Sequence, residues 1–519
     1  MATPREYPVV PRESTLSQLP PESSLNAQDQ ISELLSTASL SRLVVLDDDP
    51  TGTQTCHDIA VLTVWDIPTL QAELQQPSPG FFILTNSRAL PPIPAPRGET
   101  GHPGRLAASP SARALPPIDA EKLIRNICEN VKQAASVAGT TVDIVLRGDS
   151  TLRGHFPLEA DVAQSVFGPA DAIILAPFFF QGGRLTINEV HYVAEGDNLV
   201  PAGATQFARD ATFGFKSSNL HDYVLEKAPG RFTPEQIHSI TIEDIRINGP
   251  STICDKLLAL PKGSVVIVNA AAESDMHVFV AGLLKAKSQS QKHYLYRTAA
   301  AFVSTTLGIR PQPPLTASSF PSSQTETQPT KTGTLIIAGS YVPKTTAQLN
   351  HLTTKHGPGG TNTLSIVELN VEDIIASSST TEDPTSLDPI ITSTVTSVES
   401  SLLAGKDVLV MTSRKLITGG DELSSLAIGG RVAEALVEVL KRVKVRPRVI
   451  IAKGGITSSD AATKGLGIKR AMILGQAAPG VPLWRCDEET ARHRGVPFVV
   501  FPGNVGGVET LGEIVEGWR

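Results

Sequence analysis

Residues 42–55 read RLVVLDDDPTGTQT. A short apolar, β-branched run ends in three consecutive acids, Asp47, Asp48 and Asp49, and then in the small hydroxylated turn Thr51-Gly52-Thr53. Short continuous apolar runs are the pattern of strands buried on both faces of a sheet. The pattern returns at 81–85 (FFILT), 142–146 (VDIVL), 172–176 (AIILA) and 264–269 (SVVIVN). Helical periodicity lies between, as at 119–137, where Asp119 is placed to cap the N-terminus. Strand alternating with helix predicts an α/β fold.

Working outward, residues 311–330 read PQPPLTASSFPSSQTETQPT. Sixteen of these twenty are Pro, Gln, Ser or Thr, so the segment is expected to be a linker. A second α/β set follows it, with strands expected at 334–338, 407–412, 448–452 and 498–501. Within 430–443, Val432, Leu436, Leu440 and Val443 fall on one helical stripe. The expectation is therefore two α/β domains with mainly parallel sheets and a cleft between them. Residues 1–30 are expected to be a disordered arm, 31–310 one domain, 311–331 the linker and 332–519 the other domain. Residues 91–117, with eleven Pro or Gly in twenty-seven positions, and the polar stretch 376–388 are expected to be insertions.

Composition narrows the function. The chain has 519 residues, 40% hydrophobic and 19% charged, which is globular and admits two or three domains. A net charge of -7 gives no bulk attraction for nucleic acid, and 5% aromatics is too few for a base-stacking platform. No run of eighteen apolar residues suggests a membrane span, and the N-terminus has no apolar leader. Cys56, Cys128, Cys254 and Cys486 are widely spaced, which argues against a zinc site or disulfide framework and for a reducing, cytoplasmic setting.

Three segments of the first half could carry chemistry. The acids of 47–49 follow a strand end, where ligands bind in α/β sheets. Residues 146–159, LRGDSTLRGHFPLE, offer Arg147 and Arg153 as forks for carboxylate or phosphate, with Gly148, Asp149, Ser150 and Gly154 between them. Arg88 follows another strand. Residues 176–193 supply Gly183-Arg184 as a pocket wall, and His191 there is expected to be a satisfied structural residue. In the second half, three strand ends run through small residues into a helix. They are Gly339-Ser340, then Gly454-Gly455 with Thr457-Ser458-Ser459, then Gly503, Gly506 and Gly507. Backbone N–H groups and the helix dipole at such turns favour phosphate. None matches GxxxxGK[ST] or GxGxxG.

At these residues the chain resembles the four-carbon acid sugar kinases, whose members phosphorylate threonate, erythronate and 3-oxo-tetronate. The family's opening ADDxTG is similar to Asp47-Asp48-Asp49-Pro50-Thr51-Gly52, with Asp47 in place of Ala. Its SR is Ser87-Arg88, and its KxDSTxRG is Arg147-Gly148-Asp149-Ser150-Thr151-Leu152-Arg153-Gly154, with Arg147 in place of Lys. Its GR is Gly183-Arg184. Its GSxSxxTxxQ resembles 339–348 with Val342 in place of the second Ser. Its GGDTS resembles 454–458 with Ile456 in place of the acid. The resemblance spans roughly 42–515 and implies ATP, Mg²⁺ and a small-molecule sugar acid as partners, with no nucleic acid or membrane and with the oligomeric state open. It implies that Asp48 or Asp49 is the base, and that Arg88, Arg147, Gly148, Asp149, Ser150, Arg153 and Arg184 bind substrate. It implies that Ser340, Gly454, Gly455, Ile456, Thr457, Gly503, Gly506 and Gly507 hold the nucleotide. No metal ligand is assigned.

Two other readings stand beside it. Asp47, Asp49 and Thr51 satisfy the DxDxT opening of haloacid dehalogenase-type phosphatases, with Asp47 as nucleophile and Asp49 as acid/base. In that reading the only late acidic match is Gly419-Gly420-Asp421-Glu422. A non-catalytic ligand-binding protein on the same fold is the other, suggested by Val342 and Ile456.

Overall fold

Seven parallel strands lie side by side in the first unit of the computed structural model. Their order is Ile237–Ile240, Ser264–Val268, Ala172–Ala176, Tyr294–Thr298, Val142–Arg147, Arg42–Asp47 and Gly80–Leu84. The structure describes residues 5–38, 40–89, 119–320, 332–339, 342–376, 388–413 and 422–519; of residues 422–428 it describes the backbone alone. The chain divides into two compact units. The first runs through Cys56, Val64–Arg88 and Asp119–Pro311, and the second takes His57–Thr63 and Gln312–Arg519.

The central strands are buried along their length, as their apolar runs require. Helices supply the covering layers. Helix Ala120–Ala138 starts where Asp119 accepts the N–H of Lys122 at 2.8 Å and ends at Gly139, whose φ of 65° closes a left-handed cap. A smaller antiparallel sheet joins Val10–Pro11, Asn198–Pro201, Val190–Glu195 and Arg184–Ile187.

The second unit contains five parallel strands in the order Pro497–Phe501, Ile450–Lys453, Leu335–Ala338, Asp407–Thr412, Leu364–Leu369. Antiparallel strands Val481–Arg485, Arg470–Ala478 and Ile59–Leu62 extend it. Val432, Leu436, Leu440 and Val443 are all buried, as the stripe predicts.

Both units are α/β and mainly parallel, as the expected fold class has it; three boundaries differ. The arm is not structureless within residues 5–30. Val10 and Pro11 pair with Leu199 and Asn198, and Pro20 O accepts from Arg246 Nη1 at 2.7 Å. Asn26 caps a helix, Ala27–Thr37, that buries Ile31. A polar segment orders here because its few apolar and backbone groups find partners. The linker is likewise packed at its start. Leu315 N donates to Gln476 O at 2.7 Å, and Phe320 stacks on Trp518 at 5.5 Å. Residues 57–63 belong to the second unit because Ile59–Leu62 pairs with Arg470–Ile473. Residues 321–331, the 91–117 insertion, Ser340, and Gly419 to Asp421 lie outside the described residues.

Candidate functional site

In the first unit the chain leaves strand 42–47 toward strand 80–84 on one side, then crosses to strand 142–147 on the other. Strands 42–47 and 142–147 therefore flank the point where the order reverses. Parallel α/β sheets bind ligands outside the carboxyl ends of such a pair. The residues delivered there are Asp47-Asp48-Asp49 and Arg147-Gly148-Asp149, with Arg88 arriving from the next strand.

The three acids have three different environments. Asp47 is fully buried. Its Oδ1 lies 3.4 Å from Arg147 Nη1, and a Cβ on Gly52 would sit 1.9 Å from that same oxygen. The turn at Gly52 thus lies against the carboxylate, where the phosphatase reading would need room for a phosphate. Asp49 accepts from Thr51 N at 2.9 Å and Thr51 Oγ1 at 2.6 Å, capping the short helix Pro50–Thr53, and it pairs with Arg88. Burial raises its pKa, but Arg88 and the Thr51 bonds outweigh burial and hold it below the usual value.

Asp48 differs from both. It is 4% exposed, and neither carboxylate oxygen has a hydrogen-bond partner among the described residues. Its nearest cation is Arg88 Nη1 at 3.8 Å. Burial pushes its carboxyl up to about 6 against the pull of Arg88 and Arg297. Its backbone N–H extends the ladder by donating to Arg147 O at 3.2 Å, which fixes where the carboxylate starts.

Arg88 joins the acids. It also lies 3.6 Å from Asp149 Oδ1, while Arg153 Nε donates to Asp149 Oδ2 at 2.7 Å. Burial would favour the neutral form of Asp149, but Arg88 and Arg153 hold its carboxyl well below the usual range. The Arg88 turn is itself held. Ser87 Oγ donates to buried Glu159 at 2.7 Å, and His155 Nε2 donates to Ser87 O at 2.9 Å. His191 Nε2 donates to Ser150 O at 2.8 Å, and Thr186 Oγ1 donates to its Nδ1 at 2.9 Å. Burial drops the His191 pKa to about 4, so it is a neutral strut. Arg184 and Arg153 sit over the Phe207 ring at 5.8 and 5.1 Å, and Arg153 lies 3.7 Å from Asp210.

Arg297 is the member of this cluster that sequence reasoning missed. It is 6% exposed, near the end of strand Tyr294–Thr298, and donates to Arg153 O at 3.2 Å. A Cβ on Gly148 would fall 1.3 Å from its Nη1, and one on Gly154 would fall 2.6 Å from its Nη2 and 3.5 Å from Asp48 Oδ2. The two glycines therefore leave the room that the Arg297 guanidinium occupies near Asp48. Its signal was a lone Arg inside the run YLYRT. Gly148→Ala is expected to displace Arg297 and lower stability by roughly 1–3 kcal/mol, read by chemical denaturation.

The second unit repeats the topological logic. Its order reverses between strands 335–338 and 450–453, and Gly339 and Gly454-Gly455 follow them. A Cβ on Gly339 would lie 3.1 Å from Thr457 Oγ1, so these turns converge. Gly454 and Gly506 need their positive φ of 116° and 80°. Gly503 O accepts from Thr345 Oγ1 at 3.0 Å, and Gly507 O from Gln348 Nε2 at 2.8 Å. Val342 and Ile456 are exposed, at 41% and 60%. Among the described residues no group of three His, Cys, Asp or Glu could hold a metal ion, and no helix is long and apolar enough to cross a membrane.

Residues 43–98 and 99–306 match the sugar-binding N-terminal domain family, and residues 335–511 match the nucleotide-binding C-terminal domain family. Together they define a two-domain α/β protein with a sugar-binding domain and a nucleotide-binding domain. The chain belongs to the four-carbon acid sugar kinase family. No curated protein matches it at a significant level. Two solved structures share the fold. A Salmonella typhimurium LT2 protein, named as a proposed tRNA synthase, has a TM-score of 0.61 at 14% identity, covering 92% of this chain and 100% of its own. A Haemophilus influenzae protein of the DUF1537 family has a TM-score of 0.51 at 16% identity, covering 91% and 98%.

Proposed function

We propose that this chain is an ATP-dependent kinase acting on the terminal hydroxyl of a four-carbon sugar acid, such as threonate, erythronate or 3-oxo-tetronate. The observation that carries this reading is Asp48, a buried carboxylate without a hydrogen-bond partner at the switch point of the sugar-binding unit. A buried carboxylate without a hydrogen bond is costly, and its natural use is to accept a proton. In this mechanism the substrate hydroxyl loses its proton to Asp48 as its oxygen bonds to the terminal phosphorus. The bond from that phosphorus to the bridging oxygen breaks, and ADP leaves. Arg184 is the natural anchor for the substrate carboxylate, because no acid lies within 4 Å of its guanidinium among the described residues. Arg88, Arg147 and Arg297 offset the acids of the site.

The turns at Gly454–Thr457 and Gly503–Gly507 fit a polyphosphate, through backbone N–H groups and positive-φ glycines. Mg²⁺ would enter with the nucleotide, held mainly by phosphate oxygens, where it would neutralise their charge. The four cysteines are unpaired and buried, in keeping with a cytoplasmic location.

A base must be deprotonated to act. With Asp48 near 6, kcat/KM is expected to fall about tenfold per pH unit below that value and to level off above it. The experiment that tests the reading is a coupled ADP-release assay across tetronate stereoisomers and their 3-oxo forms. A non-catalytic binder would take up a ligand in calorimetry and release no ADP.

A further inference from the structure

Lys453 is the buried ionisable group that the proposed reaction leaves unused. It ends strand Ile450–Lys453 and is 0% exposed. Its Nζ donates to Pro502 O at 2.5 Å and lies 3.6 Å from the centroid of Phe501. No carboxylate lies within 4 Å of it among the described residues. The charged neighbour that acts on it is Lys344, at the start of helix Pro343–His356, which adds repulsion. A lysine with neither water nor an acid is held only by a carbonyl and a ring face.

The carbonyl it holds belongs to the last glycine loop. Thr345 Oγ1 takes Gly503 O at 3.0 Å, and Gln348 Nε2 takes Val505 O at 3.0 Å and Gly507 O at 2.8 Å. Thus Lys453, Thr345 and Gln348 turn the carbonyls of 502, 503, 505 and 507 toward the body of the unit. The N–H groups of Gly503, Asn504, Val505 and Gly506 accordingly make no hydrogen bond among the described residues, while Gly507 N donates to Thr510 Oγ1 at 2.9 Å. A run of backbone N–H groups freed in this way forms an anion-binding concavity.

We propose that protonated Lys453 is a positioning residue, a latch that pins the 502–507 loop so that its N–H groups face the nucleotide's phosphates. The inference rests on the nucleotide-binding reading of the second unit. Burial, helped by Lys344, pulls the Lys453 pKa down to about 7. The latch is therefore strongest below that pH, and above it keeps only the weaker donation of a neutral amine. A phosphate bound to the loop favours the charged form, so nucleotide binding and proton uptake are coupled.

The test is calorimetric titration of the full chain with MgATP between pH 6.5 and 8.5, for wild type and Lys453→Met. Comparing the two cancels the ligand's own titration. At pH 6.5 the variant is expected to bind about tenfold more weakly, and the gap is expected to close as pH rises. Gln348→Met, which frees the same loop without removing a titratable group, should weaken binding while keeping the wild-type pH slope. A thermal melt of Lys453→Met at or above the wild-type midpoint separates lost binding from lost fold, since Met removes a buried charge. Equal affinity of wild type and Lys453→Met at pH 6.5, or a gap independent of pH, overturns the latch alone. A wild type that binds no MgATP at any pH overturns the nucleotide reading, and the latch with it.

Discussion

Asp48→Asn is expected to lower kcat by about 10²–10⁴-fold while raising the stability of the protein. The two effects share one cause. Asp48 is almost fully buried without a hydrogen-bond partner, and burial lifts its carboxyl to about 6. Since the folded pKa exceeds the unfolded one, the native state binds the extra proton between roughly pH 4 and 6. Stability therefore falls as pH rises through that window and stays lower above it. Asn carries no charge, so the variant should gain on the order of 1–3 kcal/mol at pH 7 and nothing near pH 3. MgATP affinity should be unchanged, because Asp48 lies in the first unit and the glycine turns in the second. Activity assays with melts at pH 4 and pH 7 read all of this. A variant that is both active and no more stable would show that Asp48 is neither the base nor strained.

Arg88→Ala is expected to abolish turnover and to destabilise the first unit by about 3–5 kcal/mol at neutral pH. Arg88 touches three carboxylates, those of Asp48, Asp49 and Asp149. Burial alone would lower its own pKa, but these acids outweigh burial and keep it charged. Without it they repel one another in a buried site. In the wild type, Asp49 and Asp149 have lowered pKa values, so their stabilisation is present above about pH 4 and lost as pH falls through their folded values. The deficit of the variant should thus be largest near pH 7 and shrink on acidification. Arg88→Lys returns the charge without the planar fork, so it should recover part of the stability and little of the turnover. A deficit that does not depend on pH would remove the electrostatic account of this cluster.

The strands that build the central sheets were legible because burial on both faces writes them as continuous apolar runs. Those at 42–47, 142–146 and 172–176 fall within a residue of where the chain places them. Strands 294–298 and 364–369 were not, because Tyr, Arg, Ser and Glu interrupt their runs while neighbouring strands fix their place. Strand 470–478 pairs antiparallel at both edges and alternates in burial, which left a weak period-two pattern. The site was legible where function crowds like charges after a strand, as at 47–49. Its division of labour was not. That Asp47 lies under Gly52, that Asp49 is tied to Thr51, and that Asp48 is left without a bond are properties of one turn folded in space. Arg297 comes from a strand 150 residues later in the chain than Arg147, and only the sheet order sets their two strands side by side. Lys453 left no signal of its own, because nothing in the residue type tells that its strand is buried.

Buried Asp48 is proposed to accept a hydroxyl proton during phosphoryl transfer to a four-carbon acid. Its most direct measurement is acid-dependent ADP release by wild type and Asp48→Asn, at pH 7.5, across the tetronate and 3-oxo-tetronate panel. At least one acid is expected to drive ADP release by the wild type, and Asp48→Asn to lose at least a hundredfold of that rate. ADP release at the wild-type rate by Asp48→Asn, or no acid-dependent release by a wild type that binds both ligands, would contradict it.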